Sequence, residues 1–581
     1  MFTGPEWVIV PAARKIEEAE KETKMAAKDN LKTGGQILVE GLRANGVDRV
    51  YCVPGESYLA ALDAFHDVPE IQLVVCRQEG GAAMMAEADG KLTGQPGILF
   101  VTRGPGATNA AAGLHVAHQD STPMICFVGQ VGRGDRDREA FQEVDFRAMF
   151  GTVVKWVAEI DDTARLPEYI DRAWRMALSG RPGPVVLSLP EDMLSAHADV
   201  PDRPARTLGT DADYSAFAAQ AMELLAGAER PLVVIGGSAW SPQANRDIAR
   251  FAEAANLPVA AAFRRQDYMD NRHSHYVGDL GVGMNPALGK ELAAADVILA
   301  LGTRLGDCVT AGYSLLDPAT FDATLIHVHP DPDEPGHVYP PTLSLAAPAA
   351  RVLEALTEAA APHSGTDRLR DLRAGFEAWQ TPRETPGDVK QEEVIRWLSA
   401  NLPEDAIVTN GAGNYAAWLH RYFTFKRYGT QLAPTSGSMG YGFPAAIAAK
   451  LRHPDRDVVC MAGDGCFQMT LNELSTAAQH GAAVITVVIN NGRYGTIRMH
   501  QERTYPGRPS GTDLANPDFA ALARAYGGHG EAVVRSQDFP AAFERARASG
   551  LPAVIELMVD AEALTPGQTL TQARAMGEAK A

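Results

Sequence analysis

Two polar side chains of this sequence follow neighbouring apolar runs, where they could hold a metal ion. Asp464 lies between two glycines directly after the apolar run 458–462, and Asn491 follows the next apolar run, 484–489. If both runs are parallel strands, the carboxylate and the amide oxygen meet at one sheet edge. Mg²⁺ prefers such oxygen ligands and shares them with phosphates, which glycine amides and a helix N-terminus also bind. The pair therefore predicts a magnesium–phosphate site, whereas Gly-Asp-Gly alone would be typical of a helix cap.

Glu79 is a third candidate, because it follows the apolar run 73–75 within the segment RQEGGA at 77–82. A carboxyl group in apolar surroundings favours its protonated form and can act as a general acid and base. A glutamate at this place is by itself more typical of a helix start. The catalytic interpretation of Glu79 therefore depends on the predicted site around Asp464.

Apolar runs of this kind alternate with helical patterns along the chain, which predicts parallel sheets covered by helices on both faces. Three groups of strands are expected, separated by polar, proline-bearing linkers at 193–208 and 360–388. Helices are predicted at 35–46, 444–450 and 466–480. The predicted strands are 50–53, 73–75, 97–102, 124–128 and 184–189 in the first group, 231–235, 259–262, 297–301 and 325–328 in the second, and 407–408, 458–462, 484–489 and 553–557 in the third.

Composition excludes several classes of function. The chain has 581 residues, is 46% hydrophobic and 22% charged, and carries a formal net charge of -19. These values are typical of a globular enzyme and do not suit binding to nucleic acid or to an anionic membrane. Six cysteines without metal-binding spacing favour a cytoplasmic location, and no apolar run is long enough for a membrane helix. Residues 1–30, with a charge run at 16–24, are interpreted as an N-terminal extension.

The motifs together resemble those of the thiamine diphosphate-dependent enzymes, in the acetolactate synthase-like branch. They are GDG and NN around Asp464 and Asn491, RQEGGA around Glu79, and SGSMGYGFPA at 436–445. The resemblance covers residues 33–565. It implies an α/β fold of three doubly wound parallel-sheet domains: pyrimidine-binding (31–192), central and Rossmann-like (209–359), and diphosphate-binding (389–565), followed by a C-terminal tail at 566–581.

The resemblance also implies a role for each motif. Asp464, Asn491 and the backbone carbonyl of Arg493 would bind Mg²⁺. Glu79 would protonate N1′ of the cofactor's pyrimidine, so that N4′ can take the thiazolium C2 proton, and the carbanion chemistry would belong to the cofactor. Met439 would be the hydrophobic wedge that bends the cofactor. The residues expected to bind thiamine diphosphate are Pro54, Gly55, Glu79, Asn109, Gly413, Ser438, Met439, Gly463, Asp464, Gly465, Asn491, Tyr494 and Gly495.

The substrate side resembles the family only in part. Gln142, in the segment AFQE, resembles a glutamine that lies near the reacting substrate, and it is expected to be catalytic. Cys308 stands where acetolactate synthases carry an arginine that pairs with the acceptor's carboxylate, so this bidentate clamp is missing. His500 stands where they carry a tryptophan that selects the acceptor, and it is a candidate catalytic proton donor.

A flavin site in the central domain is possible but not favoured. Gly236-Gly237 follows the predicted strand 231–235, as in a dinucleotide-binding turn. However, His329 replaces a family aspartate, and the family's Gly-Met-His-Gly stretch reads GVGM at 281–284. An empty or vestigial flavin site is therefore expected rather than bound FAD.

The expected function is that of a thiamine diphosphate- and Mg²⁺-dependent lyase or transferase. Such an enzyme would decarboxylate a 2-keto acid and pass the acyl carbanion equivalent to an acceptor, or protonate it. Acetolactate synthase itself is one alternative. A 2-hydroxyacyl-CoA-type lyase or flavin-dependent 2-keto acid oxidase is another, and a non-catalytic cofactor-binding subunit is a third. The resemblance implies a homodimer or homotetramer, with the cofactor between the first domain of one subunit and the third domain of another, and leaves a regulatory subunit open.

Overall fold

The computed structural model describes residues 31–201 and 212–580, so the predicted N-terminal extension lies outside the described residues. Three six-stranded sheets form the core of the molecule. Every strand pair in these sheets is parallel. The predicted α/β class with three parallel-sheet domains is confirmed. Within the described residues, no helix is long and apolar enough to cross a membrane.

The first sheet has its own strands in the order 2-1-3-4-6-5. From edge to edge these strands are Gln72–Val75, Arg49–Cys52, Gly97–Val101, Met124–Gln130, Pro184–Pro190 and Trp156–Glu159. Its helices are Gly34–Ala44, Leu59–His66, Glu79–Thr93, Gly104–Asp120, Phe146–Phe150, Leu166–Leu178 and Glu191–Ser195. A short antiparallel pair, Lys32–Thr33 with His197–Ala198, closes the domain. The predicted linker 193–208 is therefore wrong at its start, which belongs to this domain; 202–208 lies outside the described residues.

The central sheet has the strand order 3-2-1-4-5-6. The order in which strands are added to the sheet therefore reverses between the first and fourth strands, which lie side by side. Its strands are Tyr276–Asp279, Val259–Ala261, Pro231–Ile235, Val297–Leu301, Thr324–His329 and Leu343–Ala346. Its helices are Ser215–Ala226, Pro242–Ala255, Pro286–Ala293, Ala349–Glu358 and Thr366–Trp379. The last helix lies inside the predicted linker 360–388, so that stretch is not simply a linker. Its side chains Leu369 and Phe376 are buried, which explains why the helix forms.

The third sheet repeats the strand order of the first, 2-1-3-4-6-5. Its strands are Gln431–Leu432, Ile407–Asn410, Val458–Gly463, Ile485–Asn490, Ala553–Met558 and His529–Val533. Its helices are Gln391–Asn401, Ala416–Tyr422, Gly442–Arg452, Asp464–Gln468, Leu474–Gln479, Gly495–Thr504, Phe519–Ala525, Phe539–Ser549 and Leu570–Glu578. The predicted C-terminal tail thus contains a helix, and that helix packs against Gly495–Thr504.

The predicted continuous helix 466–480 is wrong. The helix Asp464–Gln468 ends early, a 3-10 turn follows at Leu471–Glu473, and Leu474–Gln479 forms a second helix. The Thr470 hydroxyl donates to the Gly440 carbonyl at 2.8 Å. The Glu473 carboxylate accepts backbone N–H groups of the first domain. These tertiary hydrogen bonds lie at the break, and no local sequence signal predicts them.

The first and third domains share one hydrophobic core within the chain. The helix Glu79–Thr93 packs against Gly442–Arg452. Both helices contribute buried side chains to a single cluster that also includes strands of both sheets. The two domains therefore form one packed unit, with Glu79 at the start of its central helix.

Candidate active site

The third sheet brings Asp464 and Asn491 to one edge, as predicted. The strands Val458–Gly463 and Ile485–Asn490 pair in parallel, with Gly463 opposite Ile489. Each strand ends one residue before its polar side chain. Asp464 and Asn491 both line a cavity of about 240 Å³ at the carboxyl ends of these strands. This is the position where open parallel sheets bind ligands.

The Asp464 carboxylate is buried and fixed by hydrogen bonds. Its Oδ1 accepts the Gly465 N–H at 2.8 Å, and its Oδ2 accepts the Gly492 N–H at 2.9 Å. The Asn516 amide donates to the same Oδ2 at 2.7 Å. Burial raises the pKa of Asp464, and these hydrogen bonds oppose that rise. The carboxylate is thus held in one orientation beside the cavity.

Asn491 and Arg493 complete the oxygen-rich edge of the cavity. The Asn491 Oδ1 accepts the Arg493 N–H at 3.1 Å. The Arg493 carbonyl accepts the Gly495 N–H at 2.9 Å and retains a second lone pair. All three residues line the cavity. A carboxylate, an amide oxygen and a carbonyl are hard oxygen donors, so this set fits Mg²⁺ rather than a softer metal.

Most of the other residues predicted to bind the cofactor surround the same cavity. Ser438 is not among the lining residues, but it is adjacent, with its hydroxyl directed to the Met439 carbonyl at 3.3 Å. A Cβ at position 465 would lie 2.6 Å from the Tyr494 ring, so only glycine allows this close approach. The predicted residues that line the cavity are Gly413, Met439, Gly463, Asp464, Gly465, Asn491, Tyr494 and Gly495.

Glu79 forms a separate group in the first domain. It is the first residue of the helix Glu79–Thr93 and is 8% exposed. Its Oε2 accepts a hydrogen bond from the Asn109 amide at 2.8 Å. A Cβ at Gly106 would lie 3.2 Å from its Oε1, so this glycine makes room for the carboxyl group. Glu79 and Asn109, two residues predicted to bind the cofactor, are therefore hydrogen-bonded to each other.

Gln142 lies close to this group through its backbone. Its carbonyl accepts the Gly104 N–H at 3.0 Å, at the start of the helix that carries Asn109. Its φ of 63° lies in the left-handed region, which a residue other than glycine rarely adopts. Gly55 packs against Thr102 on the same side, and Pro54 is exposed. The first-domain predictions thus cluster around the helices Glu79–Thr93 and Gly104–Asp120.

The structure does not bring every predicted residue together in one chain. All residues lining the Asp464 cavity belong to the third domain, and Glu79 is not one of them. His500 lies in the helix that begins at this cavity, but its side chain is exposed. Cys308 lines a different cavity, between the first and central domains, where burial raises the pKa of its thiol. One chain therefore holds two separate groups of predicted site residues, which we call half-sites. The third-domain half-site surrounds Asp464, and the first-domain half-site surrounds Glu79.

Sequence reasoning missed Asn516. Its amide donates to both the Asp464 Oδ2 and the Asn490 Oδ1, at 2.7 and 2.8 Å. Asn516 lies 52 residues beyond Asp464, in a loop without a recognisable motif. Because only the fold brings it to the strand ends, no sequence signal could have found it.

Side chains of the central domain donate hydrogen bonds to its glycine turn. The carbonyl of Gly236 accepts a hydrogen bond from the Trp240 indole at 2.8 Å. The carbonyl of Gly237 accepts hydrogen bonds from Arg265 at 3.0 Å and Tyr268 at 2.8 Å. The adjoining cavity measures about 110 Å³, whereas pockets for drug-sized ligands are roughly 300–1,000 Å³. Two carbonyls of the turn are thus bonded to side chains of the same domain, and the adjoining cavity is smaller than such pockets.

Comparison with known proteins matches all three domains. Residues 32–149 match the thiamine pyrophosphate enzyme N-terminal TPP binding domain, residues 218–356 match the central domain, and residues 411–557 match the C-terminal TPP binding domain. The acetolactate synthase large subunit of Corynebacterium glutamicum is 32% identical over 555 residues, covering 91% of this chain and 87% of that protein. The acetolactate synthase isozyme 3 large subunit of Escherichia coli is 32% identical over 511 residues, covering 85% and 88%.

A further relative, the acetolactate synthase isozyme 2 large subunit of Escherichia coli, is 30% identical over 531 residues and covers 91% of this chain and 95% of that protein. The similarity thus extends through all three domains and includes both half-sites. The chain belongs to the thiamine pyrophosphate enzyme family, as an acetolactate synthase-like member.

Proposed function

We propose that this protein decarboxylates a 2-keto acid with thiamine diphosphate and Mg²⁺, and that it transfers the acyl carbanion equivalent to an acceptor or protonates it. The observation that carries this proposal is the set of oxygen donors at the Asp464 cavity, together with the buried Glu79. A non-catalytic cofactor-binding subunit would have no use for Glu79. Curated relatives bear the name acetolactate synthase, which supports a 2-keto acid donor.

In this proposal, the third domain holds the metal and the diphosphate. Asp464, Asn491 and the Arg493 carbonyl bind Mg²⁺, and backbone amides at the cavity bind phosphate oxygens. Thiamine diphosphate, when bound, stabilises the carbanion left by loss of CO₂. Met439, half-buried at the cavity and packed against the third-domain core, limits the space beside the bound cofactor.

Glu79 holds and returns a proton at N1′ of the pyrimidine ring. Its burial and the hydrogen bond from Asn109 keep one carboxyl oxygen occupied and leave the other free to face the ring. Gln142 and His500 are proposed to act on the substrate, Gln142 from the first domain and His500 from the helix Gly495–Thr504. Proton transfer at N1′ is general acid–base catalysis, which contributes typically 10²–10⁴-fold to the rate.

We propose that the acceptor has no carboxylate group that the protein must bind at the position of Cys308. A cysteine side chain carries no positive charge in any protonation state, so Cys308 cannot form an ion pair with a carboxylate. Without the arginine clamp, a neutral carbonyl compound or a proton is the better acceptor. We also infer that FAD is not bound, because Trp240, Arg265 and Tyr268 cap the glycine turn.

We propose that the active unit is a homodimer or homotetramer, in which the first domain of one chain faces the third domain of another. The two half-sites of one chain support this arrangement. Apolar side chains that remain exposed near them, Phe141 in the first domain and Met469 and Ile497 in the third, support it further. A cytoplasmic location is proposed from the six free cysteines.

Proton NMR of the purified protein with thiamine diphosphate, Mg²⁺ and pyruvate tests this function. We expect loss of pyruvate that requires both the cofactor and the metal, with acetaldehyde or acetoin as product. Acetolactate would keep the donor chemistry and contradict the proposal on the acceptor. Loss of a larger 2-keto acid in place of pyruvate would revise only the donor, whereas unchanged 2-keto acids of every size would overturn the proposal.

A further inference from the structure

Glu473 is a buried carboxylate that the proposed chemistry does not use. It lies in the 3-10 turn Leu471–Glu473 of the third domain and is 0% exposed. Burial raises its pKa, and hydrogen bonds from Thr476 and from two backbone amides oppose that rise. Burying a carboxylate costs free energy unless hydrogen bonds compensate for the lost water. The hydrogen-bond partners of Glu473 therefore indicate its structural role.

The two backbone amides belong to the first domain of the same chain. The Glu473 Oε1 accepts the Arg77 N–H at 3.2 Å and the Gln78 N–H at 3.0 Å, and its Oε2 also accepts the Arg77 N–H at 3.2 Å. These residues immediately precede Glu79, the first residue of the helix Glu79–Thr93. The carboxylate therefore fixes the backbone from which the Glu79 side chain extends.

The position of Glu473 also suits the helix electrostatically. Unpaired N–H groups and the positive end of the helix dipole meet at this terminus, where a negative charge is favourable. A Cβ at Gly81 would lie 2.7 Å from the Glu473 Oε1, so glycine in the first turn allows the carboxylate to approach the helix. Gln78, the helix cap, accepts the Gly81 N–H with its side chain at 3.0 Å.

We propose that Glu473 is a positioning residue, which sets Glu79 in the orientation needed to contact the cofactor's pyrimidine ring. This inference rests on the proposed function of Glu79. Glu473 acts through the backbone of Arg77 and Gln78. Glu473 comes nine residues after Asp464. The segment 464–473 therefore begins at the third-domain half-site and ends beside the first-domain half-site of the same chain. A small displacement of a reacting group costs about 10²-fold in rate, which makes such support valuable.

The test uses Glu473→Gln, which keeps the side-chain shape but removes the charge and one acceptor. Gln479→Ala is the matched control, because Gln479 accepts a hydrogen bond from the Arg77 guanidinium at the same domain interface without touching the backbone before Glu79. Hydrogen exchange of the Arg77 and Gln78 amides is measured in the protein without cofactor. Calorimetry then gives the affinity for thiamine diphosphate with Mg²⁺.

We expect Glu473→Gln to speed exchange at these two amides about tenfold and to weaken thiamine diphosphate binding about tenfold, while Gln479→Ala changes neither. In a Glu79→Gln background, adding Glu473→Gln should change the affinity less than about twofold, because the two residues act through one contact. Unchanged exchange would overturn the anchoring, and full additivity with Glu79→Gln would overturn the positioning role. These measurements need no substrate turnover, so failure of the proposed reaction would be distinguishable.

If Glu473→Gln fails to fold, Glu473→Asp provides the same test, because its shorter side chain keeps the charge but withdraws the carboxylate from both amides. It should show the same faster exchange and weaker binding. Equal behaviour of Glu473→Asp and the natural protein would contradict the proposal.

Discussion

At the scale of residues, both half-sites are built from pairs that hold each other in place. Asn109 donates to Glu79, and Asn516 and two backbone amides donate to Asp464. In each pair, a carboxyl oxygen is occupied by a neutral donor rather than by a cation. Neutral donors orient the carboxyl group without neutralising it, which leaves it available to a proton or a metal ion.

Replacing Glu79 with glutamine should lower kcat for 2-keto acid loss by about 10²-fold or more, because the amide cannot exchange a proton with N1′. Thermal stability should change little, since glutamine keeps the shape and can accept from Asn109. Steady-state kinetics and a thermal melt measure the two effects. Glu56→Gln is the control, because Glu56 is an exposed carboxylate of the same domain that pairs with Arg103. Equal kcat in the natural protein and Glu79→Gln would remove Glu79 from the mechanism.

At the scale of elements, the strands that the sequence predicted and those that it missed differ in their place in the sheet. Pro231–Ile235 and Val297–Leu301 were predicted with their observed bounds, because both are buried on two faces and read as continuous apolar runs. The missed strands of the three six-stranded sheets are all sheet edges, which are short and lack such runs. They are Trp156–Glu159, Tyr276–Asp279, Leu343–Ala346, Gln431–Leu432 and His529–Val533.

The site shows the same division between local and long-range information. Asp464 and Asn491 could be predicted because each stands directly after a buried strand, so that the strand pairing alone brings them together. Asn516 and Glu473 could not be predicted. Asn516 lies in a loop, and Glu473 lies where the predicted helix 466–480 is broken. The placement of the cofactor between two chains was implied only by family resemblance and stays a prediction; Glu79 does not line the Asp464 cavity of its own chain.

The C-terminal helix Leu570–Glu578 is an element whose contribution can be measured. The Arg574 guanidinium donates to both oxygens of buried Glu502, at 2.8 and 2.9 Å, and Arg498 donates to the same carboxylate at 3.1 Å. Glu502 lies in the helix Gly495–Thr504, whose first residues line the cavity. The hydrogen bond from Arg574 is the main cause that lowers the pKa of Glu502 to about 2.

Arg574→Ala should lower the thermal midpoint by about 2–4 °C at pH 7, because it removes a charged partner from a buried carboxylate. The folded-state pKa of Glu502 lies below its ordinary value of 4.5. The stabilisation is therefore full above that ordinary value and is lost as the pH falls towards about 2. Thermal melts from pH 7 down to pH 3 measure this, with exposed Arg535 replaced by alanine as control. If the difference in thermal midpoint between the natural protein and Arg574→Ala grew as the pH fell, the stabilisation could not come from the Arg574–Glu502 ion pair.

At the scale of the whole molecule, the first and third domains have the same strand order and share one core, yet Glu79 does not line the third-domain cavity that contains Asp464. In a symmetric dimer, two identical chains can each offer both half-sites to the other and so form two equivalent complete sites. In the proposed arrangement, the central domain packs against the other two and holds no flavin. This arrangement is the central claim of the proposed mechanism.

Complementation between two inactive chains tests this claim most directly. Glu79→Gln damages the first-domain half-site and Asp464→Ala damages the third-domain half-site. The heterodimer of the two, co-expressed with different affinity tags and purified through both, is assayed for 2-keto acid loss. We predict about half of the natural dimer's activity, because one site carries both defects and the other carries neither, while each parent homodimer is inactive. A heterodimer no more active than its parents would show that each site is built within one chain and would contradict the account.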